Sequence, residues 1–239
     1  MMNLLKCFGD TRRQLRRAVP PGTFSSVRLA LAYQLARGVG GTLVQIGACD
    51  GTAGDPISQF VRRGVMRAVL VEPVEDHFRK LEKTYSGVAG VSLVQAAVAH
   101  EDGEAIMYRA RRVGRWENDD WVGQVSSFDP KHLTRHGVKP TEIETISVPA
   151  ISLASLLRQF EMNQLDFLQI DAEGFDAEVV KMAMELPDPP SVVNFERMHL
   201  TVASLKEVFG LLESRGYSWI HDRFDTLALH QRFTEALSS

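Results

Sequence analysis

Cysteine is scarce in this chain, with only Cys7 and Cys49 in 239 residues, too few for a disulfide framework and in keeping with a reducing compartment. Charge of one sign is scarce as well. The formal net charge of -3 provides no general electrostatic pull toward nucleic acid. No apolar run approaches the roughly 18 residues that suggest a membrane span, and Met1–Leu15 lacks the apolar core of a secretory signal. A cytoplasmic location is the expectation. Missing too is the dinucleotide fingerprint G-x-G-x-x-G, which placed on Gly47 would require glycine at Cys49 and Thr52. Otherwise the composition is ordinary, at 44% hydrophobic and 24% charged, and the length suits one large α/β domain with a substantial core.

The most informative stretch is Leu43–Pro73. Leu43–Ile46 is a short apolar run broken only by Gln45, and Gly47-Ala48-Cys49-Asp50-Gly51 follows as a turn in which glycine permits φ > 0 and close backbone approach. Ile57, Phe60 and Val61 then recur at helical spacing up to Gly64, and Ala68–Val71 reads as a second buried strand ending in Glu72-Pro73. That pattern is a β-α-β unit. In such a unit an acidic residue ending the second strand can accept hydrogen bonds from both hydroxyls of a ribose. With no loop to cradle a pyrophosphate, the unit suits an adenosine without phosphates, of which S-adenosylmethionine is the common case. A purely structural β-α turn is the plainer alternative.

Upstream, Arg12, Arg13, Arg16 and Arg17 precede Pro20-Pro21-Gly22, and Val27, Leu31 and Leu35 recur as in a helix. We read an N-terminal helical arm over 1–40, its arginines a solvated face, and one domain over 41–239. Downstream of Glu72, the residues Val74, Phe78, Leu81 and Tyr85 share a helical face. Val91–Val98 is a third strand-like run, broken near Gln95-Ala96-Ala97, where Gln95 and the Ala97 backbone are candidates to face an adenine. Glu104–Tyr108 reads as an extra strand and Ile146–Pro149 as an edge or connecting strand. Between them, over 110–138, periodicity fails while Arg111, Arg112, Arg115, Trp116, Asp119, Asp120, Trp121 and His132 crowd together. Long irregular stretches of this kind are functional loops or surface excursions, and a lid or substrate wall is the functional reading.

A second acidic strand exit follows. Phe167–Ile170 forms a strand, Asp171-Ala172-Glu173-Gly174 its exit, and Phe175, Val179, Met182 and Leu186 the buried face of the next helix. Val192–Phe195 repeats the arrangement, ending in Glu196 with His199 three residues on. Ser152 and Thr201 stand where helix caps belong, and Tyr217–Ile220 with Thr226–His230 reads as a closing antiparallel pair. The element order implies one sheet, mostly parallel, with helices on both faces.

These segments resemble the FkbM family of S-adenosylmethionine-dependent methyltransferases. Its glycine turn corresponds to Val44–Gly51, its acidic strand end to Val71-Glu72-Pro73, and its most diagnostic segment to Leu168–Asp176. Ala96-Ala97-Val98 with Asp102-Gly103, Ser126-Ser127, Ile151-Ser152-Leu153 and Asn194-Phe195-Glu196 are similar too. Family members usually carry asparagine where Cys49 stands and more often aspartate at Gln45. The resemblance covers about Leu43 to Leu229 and implies a Rossmann-like methyltransferase fold, a seven-stranded, mostly parallel sheet with helices on both faces. It also implies methylation of hydroxyl groups on sugars or natural products.

On that footing the donor-binding residues are Gly47, Ala48, Asp50, Gly51, Glu72, Pro73, Gln95, Ala97 and Asp171. A neutral alcohol must lose a proton as it is methylated, and the candidates to take it are Asp171, Glu173, Glu196 and His199, at adjacent strand exits. Asp171 and Glu173 have helix capping as their structural alternative, and His199 a plain surface or core role. Asp171 with Glu196 offers oxygen ligands for Mg²⁺, but two carboxylates are slight support and no metal site is assigned. A small molecule or glycan is the expected partner. Two rival functions remain, an NAD-dependent oxidoreductase and a non-catalytic protein binding a nucleoside or a partner.

Overall fold

Short apolar runs that end in glycine or acid become strands whose carboxyl ends share one edge. The computed structural model describes residues 27, 30–31, 41–52, 55–64, 66–111, 124–222 and 224–236. Cys7, the arginine cluster and the part of the 110–138 stretch numbered 112–123 lie outside them. In chain order the first elements are β1 (Thr42–Ile46), α1 (Ser58–Val61), β2 (Arg67–Val71), α2 (Glu75–Thr84), β3 (Val91–Val94), β4 (Ala97–Val98) and β5 (Gly103–Ala110). Next come β6 (Ser126–Ser127), α3 (Pro130–Arg135), β7 (Ile143–Ile151), α4 (Leu153–Gln159), β8 (Phe167–Ile170) and α5 (Asp176–Glu185). Last are β9 (Val192–Glu196), α6 (Val202–Ser214), β10 (Tyr217–Asp222), β11 (Asp225–His230) and α7 (Gln231–Ala236).

Seven strands form the main sheet in the order β10-β11-β9-β8-β1-β2-β3. All neighbours are parallel except at β11, which runs antiparallel to both β9 and β10. Parallel strands covered on both faces must be apolar on both faces, and these are. Along β1 and β2, Val44, Ile46, Val69 and Val71 enter one buried cluster, while Leu43, Ala68 and Leu70 enter the other. Val27, Ala30 and Leu31 are helical and join the second cluster. Each fully buried Leu, Val or Phe stabilises the fold by about 1.5–3 kcal/mol. Three polar residues interrupt these strands in register: Gln45 pairs with Gln169 and Gln169 with Asn194. All are buried, and Asn194 Nδ2 donates to Gln169 Oε1 at 3.1 Å.

Helix starts follow the expected chemistry. The Ser152 and Thr201 hydroxyls accept from Ser155 N at 3.2 Å and Ser204 N at 3.1 Å. Asp129 does the same for α3, accepting from Lys131 N at 2.9 Å just ahead of Pro130.

One expectation needs correcting. The stretches 97–98, 104–108 and 146–149 do not join the main sheet but build a second one, four strands in the order β4-β7-β5-β6. Gly103, with φ of 143°, opens the turn into β5, which pairs antiparallel with β7 from Gly103↔Ala150 to Ala110↔Ile143. The expected third strand breaks because the chain leaves β3 after Val94, and Ala97 pairs with Ala150 instead. This second sheet lends its own side chains to the cleft described below.

Where β1 meets β8, Asp171 N donates to Ile46 O at 3.0 Å, and Gly47 sits at φ of 76°. A Cβ on Gly47 would lie 1.8 Å from Asp171 O, so only glycine lets the two strand exits close. Gly47→Ala is therefore expected to cost at least about 2 kcal/mol, read as a lower urea midpoint. An unchanged midpoint would show that the exits can separate freely.

Candidate active site

Parallel β1, β2 and β8 deliver their carboxyl ends to a single cavity of about 260 Å³. Gly47, Ala48 and Cys49 line it from the β1 turn, Glu72 and Pro73 from the end of β2, and Asp171, Ala172 and Glu173 from the end of β8. Ala96, Ala97 and Val98 complete a third side, while Met107, Gln124, Ser126 and Phe128 reach in from the second sheet and its neighbouring segment. Gln45, Gln169 and Asp55 make the base polar, with Gln45 Nε2 donating to Asp55 Oδ2 at 3.1 Å.

Glu72 is buried at the rim. Its Oε2 accepts from Cys49 N and its Oε1 from Val74 N, each at 2.9 Å, so one carboxylate ties the β1 turn to the start of α2. Burial pushes its carboxyl up to about 7, against the pull of those two N–H donors. Each oxygen keeps a further lone pair for a ligand hydroxyl. Beside it, Cys49 holds a left-handed backbone, φ of 49°, with Sγ 3.1 Å from His77 Nδ1. Burial, then the Glu72 charge, pushes that thiol up to about 12, which favours its protonated form.

Carboxylates crowd the far side. Asp176 is buried at the start of α5, where it accepts from Ala172 N and Gly174 N at 3.3 Å and from Glu196 N at 3.2 Å. Burial lifts its carboxyl to about 7. Glu196 is raised to about 8 by burial and then by Asp176, Glu173 and Asp225. Asp171 opens toward the cleft, yet its desolvated surroundings and then Glu173, Asp176, Glu196 and Asp225 raise it well above the usual carboxylate range. Glu173 carries another left-handed backbone, φ of 48°, braced where Ser127 Oγ donates to its carbonyl at 2.7 Å. Non-glycine residues in that region cluster where function over-determines the backbone, and here Cys49 and Glu173 both line the cavity.

Behind Glu173 stand three imidazoles. His132 is buried, its Nε2 2.8 Å from Glu173 Oε2, and its ring lies 4.5 Å from that of His199 and 4.7 Å from that of His136, centroid to centroid. His199 Nε2 is 3.5 Å from Glu196 Oε2. Burial first, and His132 next, lowers both His136 and His199 toward the neutral form.

The sequence pattern of the Methyltransferase FkbM domain matches residues 45–219 of the 239. The chain belongs to the FkbM methyltransferase family. Among solved structures, a methyltransferase FkbM from Methylobacillus flagellatus KT aligns at TM-score 0.46 and 13% identity, covering 79% of this chain. This chain spans only 42% of that protein's length. An O-methyltransferase from Bacillus cereus solved with SAH gives 0.46 and 12%, covering 94% of this chain and 90% of that one. TomG of Streptomyces achromogenes, an O-methyltransferase involved in tomaymycin synthesis and solved with SAM, gives 0.47 and 14%, covering 94% and 89%. Comparison with curated proteins gives no match.

Of the residues anticipated in this FkbM domain, Gly47, Ala48, Glu72, Pro73, Ala97, Asp171 and Glu173 line the cavity. Five do not. Asp50 supports the turn, its Oδ1 accepting from Thr52 N at 2.8 Å, and Gly51, φ of 73°, lies against the Tyr85 ring. Gln95 is exposed, and Glu196 and His199 stand one strand further along, next to Asp176 and His132. On sequence grounds Gln45 and Ser126 draw notice without assignment to the site, and Asp55 and Gln169 pass unremarked. A polar residue inside an apolar strand was the available signal for the two glutamines. Met107 and Phe128 had none, because their place depends on the second sheet.

Asp176 makes stability depend on pH. Its folded carboxyl, about 7 against an ordinary 3.8, binds a proton more tightly than the unfolded chain does. Its contribution is thus complete below the ordinary value and lost as pH rises through 7. Melting curves of the ligand-free protein across that window should fall less for Asp176→Asn than for the parent; parallel curves would rule out this linkage.

Proposed function

We propose that this protein transfers a methyl group from S-adenosylmethionine to a hydroxyl oxygen of a saccharide or secondary metabolite. The observation that carries the reading is Glu72, a buried carboxylate ending β2 on the rim of a cavity floored by the glycine turn of β1. The family assignment supports the reaction class, and the acidic far side supports an acceptor that must lose a proton.

The residues present fit the donor. Glu72 offers both oxygens to ribose hydroxyls, in the position where α/β folds recognise that sugar. The absence of a side chain at Gly47 lets the β1 turn close against the Asp171 backbone, so that both strand exits line the same cavity. Gln45 Oε1 and Ser126 Oγ line the cavity and are buried with no hydrogen-bond partner among the described residues. Buried polar atoms cost about 1–3 kcal/mol when unpaired, and a polar ligand would relieve both. When bound, the donor supplies an electrophilic methyl group on a sulfonium.

The chain's part is then positional and protonic. Asp171 and Glu173 face the cavity from the end of β8, where an acceptor oxygen held in line with the methyl group would sit. Asp171, raised by its neighbours, is a strong proton acceptor once ionised. Glu196 sits behind it as a further store for the proton, its carboxyl near 8. An NAD-dependent oxidoreductase fits less well, since the β1 turn lacks the glycines that admit a pyrophosphate.

Calorimetry with S-adenosylhomocysteine tests the donor half. Glu72→Gln, which keeps the volume and loses the charge, should weaken binding roughly tenfold; equal affinity would take Glu72 out of the donor site. Transfer of labelled methyl to hydroxylated sugars and metabolites tests the other half. Asp171→Asn should lower turnover by about 10²-fold with donor affinity kept, and matched losses in both would mark Asp171 as structural.

A further inference from the structure

Three histidines and a glutamate from three distant segments of the chain converge beside the cavity. His132 and His136 stand four residues apart at α3, so both imidazoles leave one helical face. Glu173 comes from the exit of β8 and His199 from the segment after β9. Each offers one ligand atom, and the four atoms all lie within 4.8 Å of one another. The geometry points to a binding site for a divalent first-row transition ion, with zinc as the best chemical match, formed by His132, His136, Glu173 and His199.

The donor set selects the ion class. Three imidazole nitrogens and one carboxylate oxygen suit zinc and its neighbours, whereas calcium and magnesium want oxygen only and copper(I) wants sulfur. Metal–nitrogen bonds of about 2.0–2.1 Å place tetrahedral ligands roughly 3.4 Å apart. The most widely separated ligand atoms, up to 4.8 Å apart, would therefore have to close in, while His132 Nε2 and Glu173 Oε2, at 2.8 Å, would have to open slightly. The surroundings hold them ready. Asp129 caps α3 and fixes the two histidines, and Ser127 clamps the Glu173 backbone in its left-handed conformation. Glu196 Oε2, 3.5 Å from His199 Nε2, sets a second carboxylate at the cluster's edge. This set differs from the Asp171 and Glu196 pair considered for Mg²⁺.

Ion binding here stands independently of methyl transfer. Its use rests on that reading: Glu173 belongs both to the cluster and to the cavity wall, so an ion there lies where an acceptor oxygen would arrive. With four protein ligands in place the acceptor oxygen would have to enter as a fifth ligand, and as a Lewis acid the ion would then favour its deprotonated form. The site thus selects acceptors whose oxygen can ligate a metal.

The test uses the full chain, stripped with a chelator, dialysed and titrated with Zn²⁺ while bound metal is measured. One equivalent should bind. His199→Ala and Glu173→Gln, tested separately, should each weaken uptake by about 100-fold or more, since even outer-sphere partners are worth 10- to 100-fold. His100→Ala, an exposed histidine outside the cluster, should leave it unchanged. Co²⁺ should show the intense visible bands of a tetrahedral site in the parent, and these should vanish in His136→Ala. Native circular dichroism of each variant separates lost ligation from lost fold. Uptake below one equivalent by the parent, or equal uptake by the parent and the folded His199→Ala, overturns the site. Calorimetry with S-adenosylhomocysteine on the same samples keeps the two readings apart. Donor binding without zinc uptake overturns the metal site alone; zinc uptake without donor binding upholds the site and overturns its role toward an acceptor.

Discussion

Everything at this sheet edge depends on how the protein tolerates several carboxyl groups in a space with little water. Asp171, Glu173, Asp176, Glu196 and Asp225 converge there because parallel strands must all end on the same side. Burial raises Asp171, Asp176, Glu196 and Asp225, and repulsion from neighbouring carboxylates adds to it at Asp171, Glu196 and Asp225, so ionising these four together is disfavoured. Backbone N–H groups carry part of the load: Asp176 takes three of them and Glu72 two. The result is a cleft with raised carboxyl groups on one flank and the buried Glu72 carboxylate on the other.

The second sheet walls this edge on one side and makes it a partly open cavity. Met107, Ser126 and Phe128 close the space from that side. The small cluster of Ala110, Val125, Leu133 and Val138 seats α3 against it. The same packing carries His132 to Glu173, so this wall of the cavity and assembly of the histidine cluster come from one piece of structure.

The main sheet could be read in advance because its signals are local. Apolar runs such as Ala68–Val71 and Phe167–Ile170, each ending in an acid, announce parallel strands and the edge at which they stop. Glu72 and Asp171 could be placed at that edge for the same reason. The four-stranded sheet was not, since β4 spans only Ala97–Val98 and β6 only Ser126–Ser127, too short for periodicity to register. Nor does the chain show beforehand that β11 inserts between β9 and β10, a choice made by long-range pairing. His136 is brought to His132 by their spacing of four at α3, whereas His199 joins them through packing alone, which no sequence spacing encodes.

The row of amides at Gln45, Gln169 and Asn194 has a consequence for how the molecule comes together. These three residues are separated by long stretches of chain, so their strands must find one another late, by slow non-local closure. A strand that zips up one residue out of step would push an amide into hydrocarbon and orphan its neighbour, and that pairing would melt before it spread. The row acts as a proofreader. It admits only the alignment in which every strand stops at the same height.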